Sequence, residues 1–231
     1  MINQNTPSEQ TKIAFFKAFK ALRLGTLLRQ SGIRKAQGIS VAEVFEFLLL
    51  LVFKGKNLYR YLDSKYHETA VSKNTYYRFM NTSTYNWRRF LTLLSVKVIA
   101  SFSRLTRPDR VKVFILDDSV VSRNRSKQVE LLTKLYDHAA HRFIKGFTML
   151  TLGWSDGYSF IPADFAMMSS ANQANRMQEI SEDIDKRTSG YKHRSEAMKK
   201  KDGRRCPDDQ KRFKSGYSDR LCLNGYLVVY P

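Results

Sequence analysis

Cysteine is nearly absent from this chain. Its 231 residues hold two, Cys206 and Cys222. Neither has histidine or further cysteine at metal-site spacing, which excludes a zinc finger and a disulfide scaffold. Long apolar runs are missing as well. The longest is Phe47–Phe53, whereas a helix crossing a bilayer needs about 20 residues. Met1–Gln10 is polar, without the apolar centre of a secretory signal. The expectation is a soluble, cytoplasmic chain with no membrane partner. Acidic residues are the third scarcity: 21 Asp and Glu stand against 40 Lys and Arg, a net charge of +19. Such a field draws polyanions, and nucleic acid is the commonest of them. A ribosome-associated protein and a membrane-surface binder are the plainer alternatives. What is present is the composition of a folded protein, 42% hydrophobic and 13% aromatic, enough for one large domain or two small ones.

The first hundred or so residues read as helical. Between Thr11 and Leu28 apolar residues recur every third or fourth position, from Ile13 through Phe16, Phe19 and Leu22. Gly32 and Gly38 punctuate the chain. Ser40 with Glu43 has the spacing of a capping box. It would open a helix with a wide apolar face, Val44 to Leu51, that stops near Gly55. A shorter helix is expected over Leu58–Leu62. Ser72 would cap another, carrying Lys73, Tyr76, Tyr77 and Arg78 toward its start. In a helix-turn-helix that end of the recognition helix meets bases and phosphates. Trp87–Phe90 opens a long amphipathic helix reaching about Phe102, with Arg88 and Arg89 as further candidates for DNA contact. Met1–Arg110 holds 19 Lys and Arg against 6 Asp and Glu, so most of the excess charge lies here. A solvated helix face explains any one of these arginines equally well; the regional excess points to a nucleic-acid interface.

Arg107-Pro108 reads as a boundary, because the period changes after it. Val111–Leu116 is a short β-branched and apolar run, read as a buried strand that ends in Asp117-Asp118-Ser119. Phe147–Trp154 and Tyr158–Phe165 read as two strands joined by a hairpin turn at Ser155-Asp156-Gly157. Pro162 suggests an edge or a bulge in the second. Gln173–Ile184 has helical composition. The order is strand, linker, hairpin, helix.

Paired carboxylates at the end of a strand are where an open α/β sheet places ligands and metals. Mg²⁺ takes oxygen ligands and is held by one or two carboxylates plus substrate phosphate. Two such ions can clamp an in-line phosphoryl transfer. An Asp pair after a strand is more often a turn or a helix cap, so the pair alone does not decide. His138 and His141 are three apart, which could put them on one helical face as metal ligands; surface or core histidines are the commoner case. Asp156 belongs to the hairpin turn. Arg123, Arg125 and Lys127 either contact phosphate or form a charged loop.

A longer pattern adds to this. Val113–Ser119, Tyr136-Asp137-His138, Lys145-Gly146-Phe147, Leu150–Gly157 and Asp164-Phe165 together resemble the opening of the catalytic domain of bacterial insertion-sequence-4-type DDE transposases. Gly38–Val41, Gly55–Arg60 and Tyr85–Phe90 resemble the N-terminal region of the same group. The likeness runs from about residue 20 to about residue 200. It implies an α+β chain: an N-terminal helical DNA-binding region over 1–106, then a partial, incomplete RNase H-like α/β domain over 107–200. It implies three carboxylates in the order Asp, Asp, Glu, with Mg²⁺ or Mn²⁺, that cut element ends and join them to target DNA. Terminal inverted repeats and target duplex are the implied partners, with a homodimer acting on paired ends near the bacterial nucleoid. The first carboxylate maps onto the pair. Asp117 is favoured, because Asp117-Asp118-Ser119 fits the pattern Asp, any residue, Ser or Thr. Asp118 is the alternative, since a strand ending one residue later turns the other carboxylate inward.

The resemblance fades after Lys199-Lys-Lys201. Residues 201–231 show no sustained period, and the expectation there is an out-of-frame or disordered tail. Read in the +1 frame, degenerate codons over Ser218–Val228 can encode a strand followed by Asp. One extra base in the lysine run would produce the switch. The chain would then keep only the first catalytic Asp and be inactive alone. A DNA-binding fragment that regulates transposition is the second reading, and an RNA-binding protein or nuclease the third.

Overall fold

The computed structural model describes residues 7–63, 71–107, 109–199, 220–223 and 226–229. The chain is α+β: helices first, then a four-stranded antiparallel sheet and a later helix. It divides into two compact units, Met1–Leu94 and Ser95–Pro231. The division falls inside a helix, α6 (Trp87–Ser103), ahead of Arg107.

The first unit is built from α1 (Pro7–Ala21), α2 (Leu24–Gln30), α3 (Val41–Phe53), α4 (Leu58–Asp63), α5 (Lys73–Asn81) and the start of α6. The single helix expected over Thr11–Leu28 is broken. Arg23 takes a left-handed conformation, φ 51°, and the turn it makes carries Leu24, Leu27 and Leu28 into the core. Ser40 caps α3 as expected, its Oγ accepting from the Glu43 N–H at 3.2 Å. Gly55 ends that helix region with φ 60°, a conformation that favours glycine. The core gathers Leu28, Ile33, Val44, Tyr76, Phe79, Tyr85 and Phe90. Trp87 sits among aromatic rings, 5.5 Å from Phe79 and 6.1 Å from Phe45, and the Tyr85 hydroxyl donates to the Arg34 carbonyl at 2.8 Å.

The second unit centres on β3 (Arg142–Ser155). β1 (Val113–Ser122) pairs with it antiparallel, as do β2 (Thr133–Asp137) and β4 (Phe160–Met168). Gly146 is opposite both Ser122 and Thr133, and Thr151 is opposite both Asp117 and Phe165. Thus β1 holds one edge of β3, while β2 and β4 share the other end to end. Side chains alternate across the sheet. The even-numbered face of β3 carries Ile144 and Trp154, buried with Ile161 of β4. The odd-numbered face is more open: Phe143 is 65% exposed and Phe160 55%. A second, two-stranded ladder pairs β5 (Arg220–Leu223) with β6 (Tyr226–Val229).

The hairpin turn at Ser155-Asp156-Gly157 forms as expected, with Gly157 at φ 87°. Pro162 lies at a register shift between β3 and β4, the bulge its ring foretold. Three expectations change. The strand expected to end at Leu116 continues to Ser122, because Val120 and Val121 keep it extended against β3; it is half-buried at most, on the edge of its sheet rather than at the centre. The linker after it contains β2, too short to stand out in the sequence. Gln173–Ile184 is not a helix beyond a 3₁₀ turn at Gln173–Asn175. Its backbone bonds go elsewhere: Met177 N–H to the Leu132 carbonyl at 2.7 Å, and Ser181 N–H to Glu130 Oε1 at 3.1 Å. Asn172 caps the 3₁₀ turn with its own Oδ1, a local competition that disfavours a longer helix. The helix comes later, as α7 (Ser189–Ala197), capped by Thr188.

Candidate functional site

Asp117 and Asp118 stand in the middle of β1, opposite Thr151 and Leu150 of β3. Consecutive strand residues face opposite ways. Asp118 therefore shares the face of Trp154 and Ile161, and Asp117 the more open face of Phe147 and Met149. Both are exposed. The Asp117 side chain has no hydrogen-bond or ion-pair partner among the described residues.

The turn after β1 holds Arg123, Arg125 and Lys127, all exposed. Arg123 N–H donates to the Lys145 carbonyl at 2.7 Å, and Asn124 Oδ1 accepts from Lys145 N–H at 2.8 Å. These bonds fasten the turn to β3 and leave the guanidinium groups outside. A cleft of about 340 Å³ where β2 and β4 meet is lined by Thr133, Thr148, Ser169, Ser170 and Lys199, without either carboxylate of the pair.

Asp156 is a structural carboxylate. It accepts from Ser159 N–H at 2.7 Å and Tyr158 N–H at 3.2 Å, and faces Arg110 at 3.4 Å. The Ser159 N–H foremost, with that of Tyr158 and the Arg110 charge, holds its pKa below the usual carboxylate value. Its role is to lock the β3–β4 turn. His138 and His141 do not share a helical face. They lie in the β2–β3 turn, which Asp137 closes by accepting from Ala139 and Ala140 N–H, both at 3.0 Å, and His141 is left-handed at φ 48°.

In the first unit, Ser72 Oγ caps α5 by accepting from Asn74 N–H at 3.3 Å. Lys73 follows, exposed, its Nζ 4.5 Å from the centre of the Tyr59 ring. Tyr76 is buried, 2% exposed, with its ring 4.6 Å from that of Phe47. It packs the core and cannot meet DNA from there, and burial raises its hydroxyl pKa. Tyr77 is half-buried. Arg78 lies in the last turn of α5 rather than near its start, exposed, its Nε donating to the Asn74 carbonyl at 3.4 Å. Arg88 is half-buried and Arg89 exposed in the first turn of α6. Two features escaped sequence reasoning. Tyr59 is an exposed aromatic beside Lys73. The β2–β3 hairpin also alternates cation and aromatic on one face, as Lys134, Tyr136 and Phe143, Lys145, a period-two signal that the sequence does carry.

The fit to a divalent metal is partial. Asp117 supplies the oxygen donor that such ions take. No group of three or more His, Cys, Asp or Glu able to hold a metal occurs among the described residues. No helix among them is long and apolar enough to cross a membrane.

Fold and site thus define an α+β protein whose basic helical unit precedes an antiparallel sheet with a carboxylate pair on its first strand. A family model described as DDE superfamily endonuclease matches residues 42–215, and the chain belongs to that family. Its members typically use divalent metals, and membership implies a DNA substrate. The match includes Asp117 and Asp118 and runs past Lys201. No curated protein and no solved structure matches the chain.

Proposed function

We propose that this chain is an insertion-sequence-4-type transposase in which Asp117 is the first metal-binding carboxylate. One observation carries the reading. Within the family match, β1 presents Asp117 from mid-strand, exposed and with no side-chain partner among the described residues, on the open face of the sheet. The order of β1, β3 and β4 suits an RNase H-like core, with β3 at its centre. Mg²⁺ or Mn²⁺, when bound, would supply Lewis-acid stabilisation of the phosphoryl group. Asp117 would hold the ion together with substrate phosphate. Asp118, on the other face, is the second choice.

DNA is held by cations of both units: Lys73, Arg78, Arg88 and Arg89 in the first, Arg123 and Arg125 in the second. Tyr77, on the same helix as Lys73, adds an aromatic edge. The element's terminal inverted repeats and the target duplex are the partners, and two copies act on paired ends. The resemblance places only the first of three carboxylates in this chain, so the isolated chain binds ends without joining them. In that state it serves as a regulator that occupies ends in place of an active enzyme. A frame change at Lys199-Lys-Lys201 is the corresponding proposal for the gene. The family match, which continues to residue 215, weighs against a break there, and the gene sequence decides.

The test titrates duplex DNA with the chain over a salt series, then adds Mg²⁺. Affinity should fall steeply with salt, with no strand joining. Binding that ignores salt would remove the DNA interface. Efficient joining by the isolated chain would overturn the regulatory reading.

A further inference from the structure

The β2–β3 hairpin carries an arrangement that neither metal chemistry nor duplex binding uses. Tyr136 is opposite Phe143, and Lys134 opposite Lys145. Residues paired in this way share a face, here the one that carries Asp117. The Tyr136 and Phe143 rings meet edge to face, 5.2 Å apart. The ammonium of Lys134 lies 4.8 Å from the centre of the Phe143 ring. His138 meets the other side of the cluster, 5.1 Å from Tyr136. Both large rings stand in solvent, Phe143 65% and Tyr136 39% exposed. Arg123 is tied to Lys145 through its backbone N–H. Asp137, at the end of β2, is engaged in closing the turn.

Exposed aromatic rings have a cost in water that a purely structural hairpin would avoid. Rings set among cations match one kind of ligand: a chain with flat faces to stack and phosphates to neutralise. Duplex DNA hides its base faces, whereas unpaired nucleotides offer them. We propose that this hairpin binds single-stranded DNA, with bases stacked on Phe143 and Tyr136 and phosphates held by Lys134, Lys145 and Arg123. Phe143 lies eight residues along β3 from Thr151, the partner of Asp117, or about 27 Å at the usual rise of a strand. A few nucleotides span that distance. The hairpin would thus grip a strand whose other end lies at the carboxylate. This deepens the DNA-binding reading above and rests on it.

The test titrates the full chain with a labelled single strand of about 12 nucleotides and, in parallel, with a duplex. Phe143→Ala should weaken single-strand binding at least about fivefold and leave duplex binding within about twofold. Phe143→Tyr, which keeps a stacking face, should retain wild-type affinity. Circular dichroism confirms that each variant is folded, and Tyr136→Ala provides an independent variant with the same expected loss. Unchanged single-strand affinity in both alanine variants overturns the proposal, as does an equal loss on duplex. Tighter binding to single-stranded RNA of the same sequence also overturns it. Duplex binding without single-strand binding sinks this proposal alone; loss of both would sink the DNA reading as well.

Discussion

Gly146 and Gly153 lie on the same strand and differ in what surrounds them. A Cβ added at Gly146 would sit 2.2 Å from the Val121 carbonyl oxygen and 3.1 Å from its carbon. Real Cβ contacts stay beyond about 3 Å, so β1 would have to retreat by most of an ångström, and backbone held in a ladder does not yield cheaply. Gly146 is also where β3 is paired on both edges, with Ser122 and Thr133. Overpacking costs about 1–3 kcal/mol, and each ladder bond lost adds about 0.5–1.5 kcal/mol. Gly146→Ala should therefore destabilise the fold by about 3–4 kcal/mol. At Gly153 the added Cβ would meet the Phe160 ring, 2.1 Å from its Cε2. That ring is more than half exposed and can swing outward. Gly153→Ala should cost about 1 kcal/mol or less, and Phe160→Ala in the same chain should remove most of the effect. Urea denaturation of the wild type, Gly146→Ala, Gly153→Ala, Phe160→Ala and the Gly153→Ala, Phe160→Ala double variant measures this. Equal costs at the two glycines, or a Gly146→Ala cost below about 1 kcal/mol, would refute the close approach of β1 to β3 at this point.

Three further outcomes are expected. Lys73→Ala and Arg89→Ala should each weaken duplex binding uniformly across sequences, and each should lower the slope of log affinity against log salt by about 1; a salt series on each variant checks this. Asp156 has its folded pKa depressed, so its contribution is complete above the unfolded value of about 3.9 and is lost as pH falls through the folded value. The difference in melting temperature between wild type and Asp156→Asn should be largest near neutral pH and shrink below about pH 4; a gap that widens in acid would show the sign to be wrong. Ser40→Ala should lower stability by about 1 kcal/mol through loss of the α3 cap, measured by thermal melting.

Much of the helical unit was legible because its signals are local. Ser40 with Glu43, the glycines at 32, 38 and 55, and the apolar run of α3 each act within a few residues, and the structure follows them. Arg23 was not legible: a left-handed arginine is set by the need to bury Leu24, Leu27 and Leu28 rather than by its own preference. The sheet was half legible. The β3–β4 turn and the bulge at Pro162 have turn chemistry, but β2 is short, and the four-residue turn after it, His138 to His141, holds no glycine or proline. Over Gln173–Ile184 a helical composition is overruled by bonds to Leu132 and Glu130, distant in sequence. Among candidate site residues, the Asp pair could be found from its strand. Which side each carboxylate faces could not, since that is set by the register of β1 against β3. Tyr76 is the opposite case: its polar tip suits a DNA contact, while its ring belongs to the core.

The proposed function turns on Asp117 as the family's first metal-binding carboxylate. Electron paramagnetic resonance of Mn²⁺, titrated into the chain with duplex DNA bound, tests it most directly. A bound-ion signal is expected that Asp117→Asn abolishes and Asp118→Asn leaves intact, with both variants still binding DNA. An unchanged signal in Asp117→Asn, or its loss in Asp118→Asn alone, would contradict it.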